Sequence, residues 1–314
     1  MLLSKAVEGY ILDGLAGDFS PHTMRLYRLY LNMLIEHLGD PELEDITHTD
    51  LARYMHFMRN EYIPNRRNGD TSPLSPSTLD NHWKAIRSLF GWCNRVLELE
   101  RPDLNLPQPQ YQLPEKVPFS EEEVKLIVQA CEYTKEASTD SRRTFRMRRP
   151  TAHRDKALIL MMLDTGLRIS EVCRLLVKDL NLETGEIQVK PYGSGQKTKP
   201  RTVFLGKAAR RSTWHYLTGR EDVRQDDPLF FPKAETIRSL CRRLGERSGV
   251  NNVHPNRFRH TFAIQFLRNG GDVFSLQRLL GHSTLEMVKH YLMLASADVE
   301  RAHRRASPAD RWRL

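Results

Sequence analysis

The fold of this chain is decided by one stretch of sequence, His254-Pro255-Asn256-Arg257-Phe258-Arg259-His260-Thr261, near its C-terminal end. Leu280-Gly281-His282-Ser283 and Tyr291 follow it, and Thr165-Gly166-Leu167-Arg168-Ile169-Ser170-Glu171 precedes it. Guanidinium groups bind phosphate oxygens in a two-pronged geometry, and a phenol oxygen can act as a nucleophile. Each segment alone is weak evidence. Their order and spacing together predict a site that holds a phosphodiester while the tyrosine attacks it.

The composition is that of a globular protein with room for two domains. The chain has 314 residues, of which 39% are hydrophobic and 28% charged, and its formal net charge is +9. Residues 1–117 carry 12 basic and 16 acidic side chains, whereas residues 118–314 carry 36 and 23. A basic half beside a slightly acidic one favours a polyanionic partner, with nucleic acid the first candidate. On charge alone, a well-solvated surface explains the pattern equally well.

The cysteines and the apolar runs exclude several classes of protein. The four cysteines are scattered without a C-x-x-C pair, so we expect buried free thiols rather than disulfides or metal ligands. No apolar run approaches the roughly 18 residues of a membrane span, and no signal peptide is visible. We therefore expect a cytoplasmic protein that does not contact membranes.

Residues 1–103 are predicted to form a small helical domain. Ser20-Pro21 is typical of a helix start, with an N-cap followed by proline at the first helical position. Thr49 is predicted to cap a second helix, and a third begins at Ser75 or at Ser77. Apolar residues recur at helical spacing behind each of these starts.

A proline-rich stretch separates this domain from the rest of the chain. Residues 104–118 are predicted to be an extended interdomain linker, and residues 119–314 a second domain with a C-terminal tail. Ser120 and Glu123 form a capping box at its first helix. Residues 139–154 contain six arginines and no apolar periodicity, which indicates a loop that is either simply solvated or a flap that contacts phosphates.

The second domain is predicted to be mostly helical with one small sheet. Residues 155–164 and 169–176 are apolar helical segments, and the chain after Lys207 is helical again. Residues 186–189 and 201–205 alternate with period two around a Gly/Lys-rich turn, which predicts a hairpin. The fold class is therefore mainly α with a small antiparallel β-sheet, an α+β arrangement.

A tyrosine nucleophile needs chemical assistance. A phenol with a pKa near 10 is about 0.1% ionised at neutral pH, a handicap of roughly 4 kcal/mol. Positively charged donors around the phosphate offset part of it. The leaving sugar oxygen also needs a proton, which a lysine of the turn at residues 193–199 can supply. A phosphate-binding P-loop is excluded there, because Gln196 separates the glycine from the lysine.

These segments resemble the tyrosine recombinases of the phage integrase family, with an Xer-like plan. The family's T-G-x-R-x-S-E motif matches residues 165–171, its H-x-x-R-H motif residues 256–260 and its L-G-H motif residues 280–282. The family's nucleophile follows nine residues later, at Tyr291. The resemblance implies a helical core-binding (SAM-like) DNA-binding domain before the catalytic domain, and strand cleavage through a 3′-phosphotyrosyl bond without metal or nucleotide cofactor.

The resemblance also implies a role for each matched residue. Arg168 and Arg259 correspond to the family's two catalytic arginines. His282 corresponds to the histidine that stabilises the charged pentavalent phosphate with them. Glu171 corresponds to the acidic residue that orients the site, and His260 is a further supporting residue. Without the resemblance, an ordinary surface arginine and a structural histidine would be the simpler interpretations of Arg168 and His282.

Two positions depart from the family pattern. Asn256 stands where the H-x-x-R-H motif has its first histidine, so it can bind and orient a phosphate oxygen but cannot carry a proton. The family's hairpin lysine does not align uniquely, because one alignment places it at Gln196 and another at Lys197. We take Lys197 as the general acid, with Lys199 as the alternative.

By the same resemblance we expect double-stranded DNA as the partner and a nucleoid-associated location. We further expect a homotetramer on two DNA sites, with residues 295–314 exchanged between protomers, and accessory DNA-bending proteins as possible partners. Candidate DNA-binding residues are basic side chains in both domains: Arg25, Arg28, Arg66, Arg67, Lys84, Arg87, Arg142, Arg143, Arg146, Arg148 and Arg149. Two alternatives remain: a catalytically idle DNA-binding protein on the same scaffold, and a type IB topoisomerase-like enzyme that acts as a monomer.

Overall fold

The structure, a computed structural model, divides into two compact units, Met1–Pro114 and Glu115–Leu314. For residues 137–139 and 142–144 it describes the backbone alone. The residues that it describes are 1–17, 19–66, 69–111, 117–134, 137–139, 142–191, 200–231, 233–282, 284–285, 291 and 307. Within them, no helix is both long and apolar enough to cross a membrane.

Among its described residues the first unit has four α-helices: α1 Leu3–Ala16, α2 Pro21–Leu38, α3 His48–Asn60 and α4 Pro76–Leu97. The last three correspond to the helices that the sequence predicts, whereas α1 was not predicted. Ser20 caps α2 by accepting a hydrogen bond from the amide of Thr23 at 3.1 Å, and Ser75 rather than Ser77 caps α4. The predicted cap at Thr49 is wrong. Thr47 and Asp50 form a capping box at the start of α3, which satisfies two backbone amides at once.

The core of the first unit lies between the apolar faces of its helices and extends to the proline-rich stretch. Leu106 is buried in this core, and its carbonyl accepts a hydrogen bond from Nε1 of Trp83 at 2.9 Å. Nε2 of Gln108 donates to Asp80 at 2.8 Å. The first part of the predicted linker therefore packs against α4. The limits of the linker itself stay a prediction.

The second unit is built around α6, which packs against α5, α8 and α10. The predicted helix at residues 169–176 is shorter than expected, since it ends at Val172. The predicted capping box of Ser120 and Glu123 is confirmed. The helices are α5 Glu121–Glu132, α6 Ala152–Thr165, α7 Ile169–Val172, α8 Lys207–Thr218, α9 Ala234–Ser248, α10 Pro255–Arg268 and α11 Val273–Leu280.

Two antiparallel hairpins belong to this unit, one expected and one not. Strands β3 Glu186–Val189 and β4 Arg201–Phe204 pair in register, which confirms the predicted hairpin and fold class. Strands β1 Ala137–Thr139 and β2 Arg142–Phe145 also pair, and α6 begins at Ala152. The prediction of a loop over residues 139–154 is therefore wrong at both ends of that segment, while residues 146–151 lie outside helices and strands. The sequence of this segment has no alternation of apolar and polar residues, so it gives no sign of the strands, which are recognised by their backbone pairing alone.

Buried apolar residues of α6 and the β3–β4 hairpin form the core of the second unit. Phe258 of α10 is fully buried and lies 4.8 Å from Phe119, ring centroid to ring centroid. The amide of Phe119 donates to Oγ1 of Thr261 at 2.8 Å. These contacts fix α10, the helix that carries the H-x-x-R-H-like segment. All four cysteines are free thiols, as predicted, although Cys173 is only half-buried.

Candidate active site

A tight turn after α6 presents Arg168. The helix ends at Gly166, whose φ of +60° is the left-handed conformation that favours glycine. A Cβ there would lie 2.4 Å from Cδ1 of Phe262, so a larger residue would have to displace that ring. Arg168 follows in extended conformation as the N-cap of α7, and its side chain remains 28% exposed. The turn thus leaves a guanidinium accessible beside the start of α7.

Arg259 of α10 is almost completely buried and held by several hydrogen bonds. Its Nη1 donates to the carbonyl of Gly166 at 2.6 Å, and its Nη2 donates to the carbonyl of Leu280 at 2.9 Å. Nη2 also lies 2.8 Å from Nε2 of His282. Burial, and then the charge of Arg168, lowers the pKa of Arg259 to about 10. The group therefore stays charged at neutral pH and has a fixed orientation.

The carboxyl end of α11 brings three arginines together. The carbonyl of Leu280 accepts hydrogen bonds from Nη1 of Arg168 at 3.3 Å and from Arg259. The carbonyl of Leu279 accepts one from Nε of Arg201 at 2.7 Å. The last carbonyls of a helix lack intrahelical donors and carry partial negative charge. This helix end therefore satisfies its own acceptors and offsets part of the repulsion between the guanidinium groups.

Glu171 is a buried carboxylate between two of these arginines. Arg201 donates to it from Nη1 at 3.0 Å and from Nη2 at 2.9 Å. The backbone amide of Arg168 donates to Oε2 of Glu171 at 2.8 Å, and Nη1 of the Arg168 side chain donates to Oε1 at 3.3 Å. Burial disfavours the charged carboxylate, but the hydrogen bonds and charge of Arg201, with those of Arg168, keep the pKa of Glu171 below its ordinary value. Glu171 is thus ionised and orients both guanidinium groups.

Arg201 ends the K-T-x-x-R pattern by which Lys197 was placed, but the sequence analysis assigned it no role in this cluster. Its side chain is only 7% exposed. A signal was available, because Arg201 shares a strand face with Val203 and with Leu205 just beyond the strand, both of which are buried. An arginine on the inner face of a strand requires a buried acceptor, and Glu171 supplies it.

The phenol of Tyr291 reaches the same cluster. Tyr291 is 3% exposed and packs with apolar residues of α10 and α11. Its hydroxyl lies 2.7 Å from Nδ1 of His260. Burial raises the pKa of Tyr291, and the charges of Arg259 and Arg168 oppose that rise. The structure therefore places the predicted nucleophile within the electrostatic field of both predicted arginines.

His282 lies in the turn that follows α11. Gly281 ends that helix with a left-handed φ of +64°, and the next residue, His282, is buried. The amide of His282 donates to the carbonyl of Gln277 at 3.1 Å, and Nε2 of Gln277 donates back to the carbonyl of His282 at 3.3 Å. The imidazole is thereby held against Arg259.

Comparison with known proteins gives the family. Residues 117–297 match the model of the phage integrase family. The chain belongs to this family. Tyrosine recombinase XerC of Escherichia coli O157:H7 is 29% identical to it over 288 residues, which cover 88% of this chain and 87% of that protein. The resemblance inferred from the motifs is thus confirmed, and with it the class of tyrosine recombinases.

Two solved structures show the same fold. The Tn1549 transposon integrase, in complex with a circular intermediate DNA, superposes with a TM-score of 0.70 at 19% identity, covering 96% of this chain and 99% of that one. The XerH site-specific recombinase bound to palindromic difH substrate gives a TM-score of 0.62 at 21% identity, covering 91% of this chain and 80% of that one.

Three predicted site residues of this family member, Asn256, Lys197 and Lys199, have no described side-chain contact with the cluster. Asn256 is exposed on the first turn of α10, and its side chain makes no hydrogen bond within the described part of the chain. Its role in binding a phosphate oxygen stays a prediction. Lys197 and Lys199 lie outside the described residues, between the paired strands β3 and β4.

The predicted DNA-binding residues of the first unit differ in their surroundings. Arg25 and Arg28 are exposed on α2, one helical turn apart. Arg66 pairs with Asp70 at 2.8 Å, and Arg67 lies outside the described residues. Lys84 and Arg87 of α4 make ion pairs with buried carboxylates, at 2.7 and 3.4 Å respectively. A role in DNA binding stays a prediction for all of them, and it requires the least rearrangement at Arg25 and Arg28.

The candidates of the second unit lie around the β1–β2 hairpin and the chain that follows it. Arg146 and Arg148 are exposed, and Nη2 of Arg148 lies 3.1 Å from Nε2 of His153. Arg149 is partly buried and lies 3.6 Å from the buried carboxylate of Asp155, so its charge already has a partner inside the unit. Strand β2 also contains Arg142 and Arg143, whose side chains are not described.

Proposed function

We propose that this chain is a site-specific recombinase that cleaves and rejoins duplex DNA, with Tyr291 as its nucleophile. The observation that carries the proposal is the convergence of Arg168, Arg259 and His282 with the phenol of Tyr291 inside one unit of one protomer. The charge pattern supports a DNA partner, since residues 118–314 carry 36 basic and 23 acidic side chains. Relatives of the same fold bind DNA in their solved structures.

The two arginines divide the work of binding the phosphate. Arg259 is fixed by three contacts, whereas Arg168 keeps part of its guanidinium exposed to a ligand. Attack on phosphorus transfers negative charge to the non-bridging oxygens. Donors that are already oriented toward that charge lower the barrier, each by about 10²–10³ in rate. His282 and Asn256 complete the set of donors in this proposal.

The reaction then consists of two transesterifications. The oxygen of Tyr291 attacks the scissile phosphate, which forms a 3′-phosphotyrosyl bond and releases a 5′-hydroxyl. Lys197 of the β3–β4 hairpin protonates the leaving 5′ oxygen. Because the covalent bond conserves the energy of the phosphodiester, the 5′-hydroxyl of a second strand reverses the step and joins new ends.

Recombination between two sites requires an assembly. We propose four protomers on two DNA sites, with residues 295–314 docking on a neighbouring protomer and Trp312 as an anchor. Accessory DNA-bending proteins and a nucleoid location belong to the same proposal. The residues concerned lie outside the described part of the chain, so the support here is the family membership.

The nucleophile is tested by covalent capture on DNA. The substrates are nicked duplexes with a randomised target region, from which the released 5′-hydroxyl fragment diffuses away, so that the covalent protein–DNA adduct accumulates. Adducts that survive SDS are recovered, and their DNA is sequenced. Tyr291→Phe is expected to abolish the adduct while DNA binding, measured by gel shift, stays nearly intact. The matched control is Tyr216→Phe, a half-buried tyrosine of α8 stacked on Phe230, which should form adduct normally. An adduct in Tyr291→Phe would show that the nucleophile is another residue.

The two alternative activities are separated by the products formed on the captured site. A recombinase transfers strands between two copies of the site, whereas a type IB topoisomerase-like enzyme relaxes a supercoiled plasmid without exchanging strands. A DNA-binding protein without catalytic activity retards the DNA in a gel but forms no adduct. Asn256 in place of the usual histidine is the observation that favours this last alternative.

A further inference from the structure

We infer that His260 is the general base that takes the proton from Tyr291, an inference that rests on the proposed role of Tyr291 as nucleophile. Nδ1 of His260 lies 2.7 Å from the phenol oxygen. This distance is within the range of about 2.6–3.2 Å expected of a base and the proton that it removes. The two rings are 5.6 Å apart, centroid to centroid.

The environment of Tyr291 makes a base necessary. At neutral pH so little of an ordinary phenol is ionised that forming the phenolate adds roughly 4 kcal/mol to the barrier for attack. Tyr291 is 3% exposed, and its burial raises the pKa further against the opposing charges of Arg259 and Arg168. Bulk water is largely excluded from so buried a hydroxyl. A protein group that accepts the proton as the phosphorus is attacked removes most of this handicap.

Other polar side chains of the cluster are unsuited to this task. Asn256 occupies the position of the family's first histidine, and its amide does not accept a proton. Both carboxylate oxygens of Glu171 accept hydrogen bonds from an arginine of β4. Nε2 of His282 is held against Arg259 at 2.8 Å. Among the described residues, His260 is the side chain that places a proton acceptor on the phenol oxygen.

Helix α10 fixes this geometry. Arg259 and His260 are consecutive residues of the helix and therefore point about 100° apart. Arg259 faces the carboxyl end of α11, while His260 faces Tyr291. One rigid helix thus carries a phosphate-binding arginine and the base for the nucleophile, so both are positioned together when α10 packs in the core.

The proton balance closes in both directions. In cleavage, the O–H bond of Tyr291 breaks and its proton moves to Nδ1 of His260, which begins as the Nε2–H tautomer and becomes an imidazolium. The phenolate oxygen bonds to phosphorus, the bond from phosphorus to the 5′ oxygen breaks, and Lys197 gives that oxygen a proton. In rejoining, Lys197 takes back the proton of the 5′-hydroxyl, and the leaving phenolate recovers its proton from His260.

The deciding variant is His260→Asn. The asparagine amide can occupy the place of Nδ1 and keep a hydrogen bond to the phenol, but it cannot accept a proton. We expect the single-turnover rate of adduct formation on the captured nicked duplex to fall by about 10²–10³, with DNA binding unchanged. His215→Gln, an exposed histidine of α8 in the same unit, is the matched control and should keep the normal rate. His260→Asn with normal rate would overturn the inference.

A more acidic nucleophile separates a catalytic role from a structural one. Replacing Tyr291 by 3,5-difluorotyrosine makes the phenol easier to ionise, so loss of the base should reduce the rate of adduct formation by a smaller factor. We expect His260→Asn to slow the fluorinated protein by about tenfold or less. An equal loss with both nucleophiles would mean that His260 only supports the fold. If His260→Asn unfolds, which its thermal transition shows, the same comparison is made with His260→Gln.

The controls distinguish this inference from the proposed function. If Tyr291→Phe loses the adduct while His260→Asn keeps the normal rate, His260 is not the base and the recombinase mechanism stands. If the unaltered protein forms no adduct, or Tyr291→Phe forms one, the assignment of the nucleophile fails, and the base inferred from it fails too.

Discussion

Arg201 and Glu171 form a two-pronged ion pair that joins strand β4 to helix α7, with Nη1–Oε1 and Nη2–Oε2 distances of 3.0 and 2.9 Å. The same arginine donates through Nε to the carbonyl of Leu279 at the end of α11. The side chain of Arg201 therefore connects the β3–β4 hairpin with α7 and with the end of α11. These two helices hold the contacts that orient Arg168 and Arg259. Arg201 thereby fixes the position of the hairpin relative to the cluster that is proposed to bind phosphate.

Arg201→Ala is expected to destabilise the fold strongly, because it leaves Glu171 buried without its main partner. Removing one member of a buried ion pair typically costs about 3–5 kcal/mol. The free energy of unfolding, measured with a chemical denaturant, should fall by about that amount. Adduct formation should fall with it, because Arg168 loses its orientation.

An exposed ion pair gives the control for Arg201. Arg238 contacts Glu235 at 2.8 Å on the surface of α9, with both side chains largely exposed. Arg238→Ala should cost less than about 1 kcal/mol. Equal losses in the two variants would show that burial of the Arg201–Glu171 pair contributes nothing to its strength.

The ion pair also predicts how stability depends on pH. The pKa of Glu171 lies below its ordinary value of 4.5 in the folded protein, so its ionised form stabilises the fold above the pKa of the unfolded chain. This stabilisation is lost as the pH falls through the folded pKa. Between about pH 5 and pH 3, unfolding free energy should decline more steeply in the unaltered protein than in Glu171→Gln. Parallel curves would mean that another carboxylate causes the acid sensitivity.

Gly166→Ala tests the turn that presents Arg168. The substitution places a Cβ 2.4 Å from Phe262 in a left-handed conformation, so we expect both a lower melting temperature and slower adduct formation. Gly249→Ala is a matched control, since Gly249 has a similar φ of +71° but no atom within 4 Å of the added Cβ. It should show only the conformational cost of about 1–2 kcal/mol. If Gly166→Ala lowers the melting temperature no more than Gly249→Ala does, the ring of Phe262 moves aside without a measurable loss of stability.

Local sequence signals account for much of what could be predicted. Ser20, Ser75 and Ser120 cap the helices that they were expected to cap, because an N-cap acts through its own neighbouring amides. Helix α10 begins with Pro255 and helix α11 ends at Gly281, and both boundaries likewise depend on the local residue type. Such features depend on a few consecutive residues, so the sequence displays them directly.

Contacts between residues far apart in the sequence could not be predicted. Arg201 and Glu171 are thirty residues apart, and neither motif nor spacing links them. The contact of His260 with Tyr291 likewise spans 31 residues. The strands at residues 137–139 and 142–145 were missed for a different reason: they are neighbours in the chain, but neither shows strand periodicity.

The hairpin lysines offer a last test, of the leaving-group step. Lys197→Ala is expected to slow adduct formation by about 10²–10⁴, because Lys197 is the lysine proposed to protonate the departing 5′ oxygen. Lys199→Ala should slow it by much less. A 5′-phosphorothiolate substrate releases a thiolate that needs no proton, so it should restore the rate of Lys197→Ala and leave that of Tyr291→Phe at zero. Rescue of Lys199→Ala instead would exchange the two assignments. Failure to rescue either variant would mean that the proton comes from outside this hairpin.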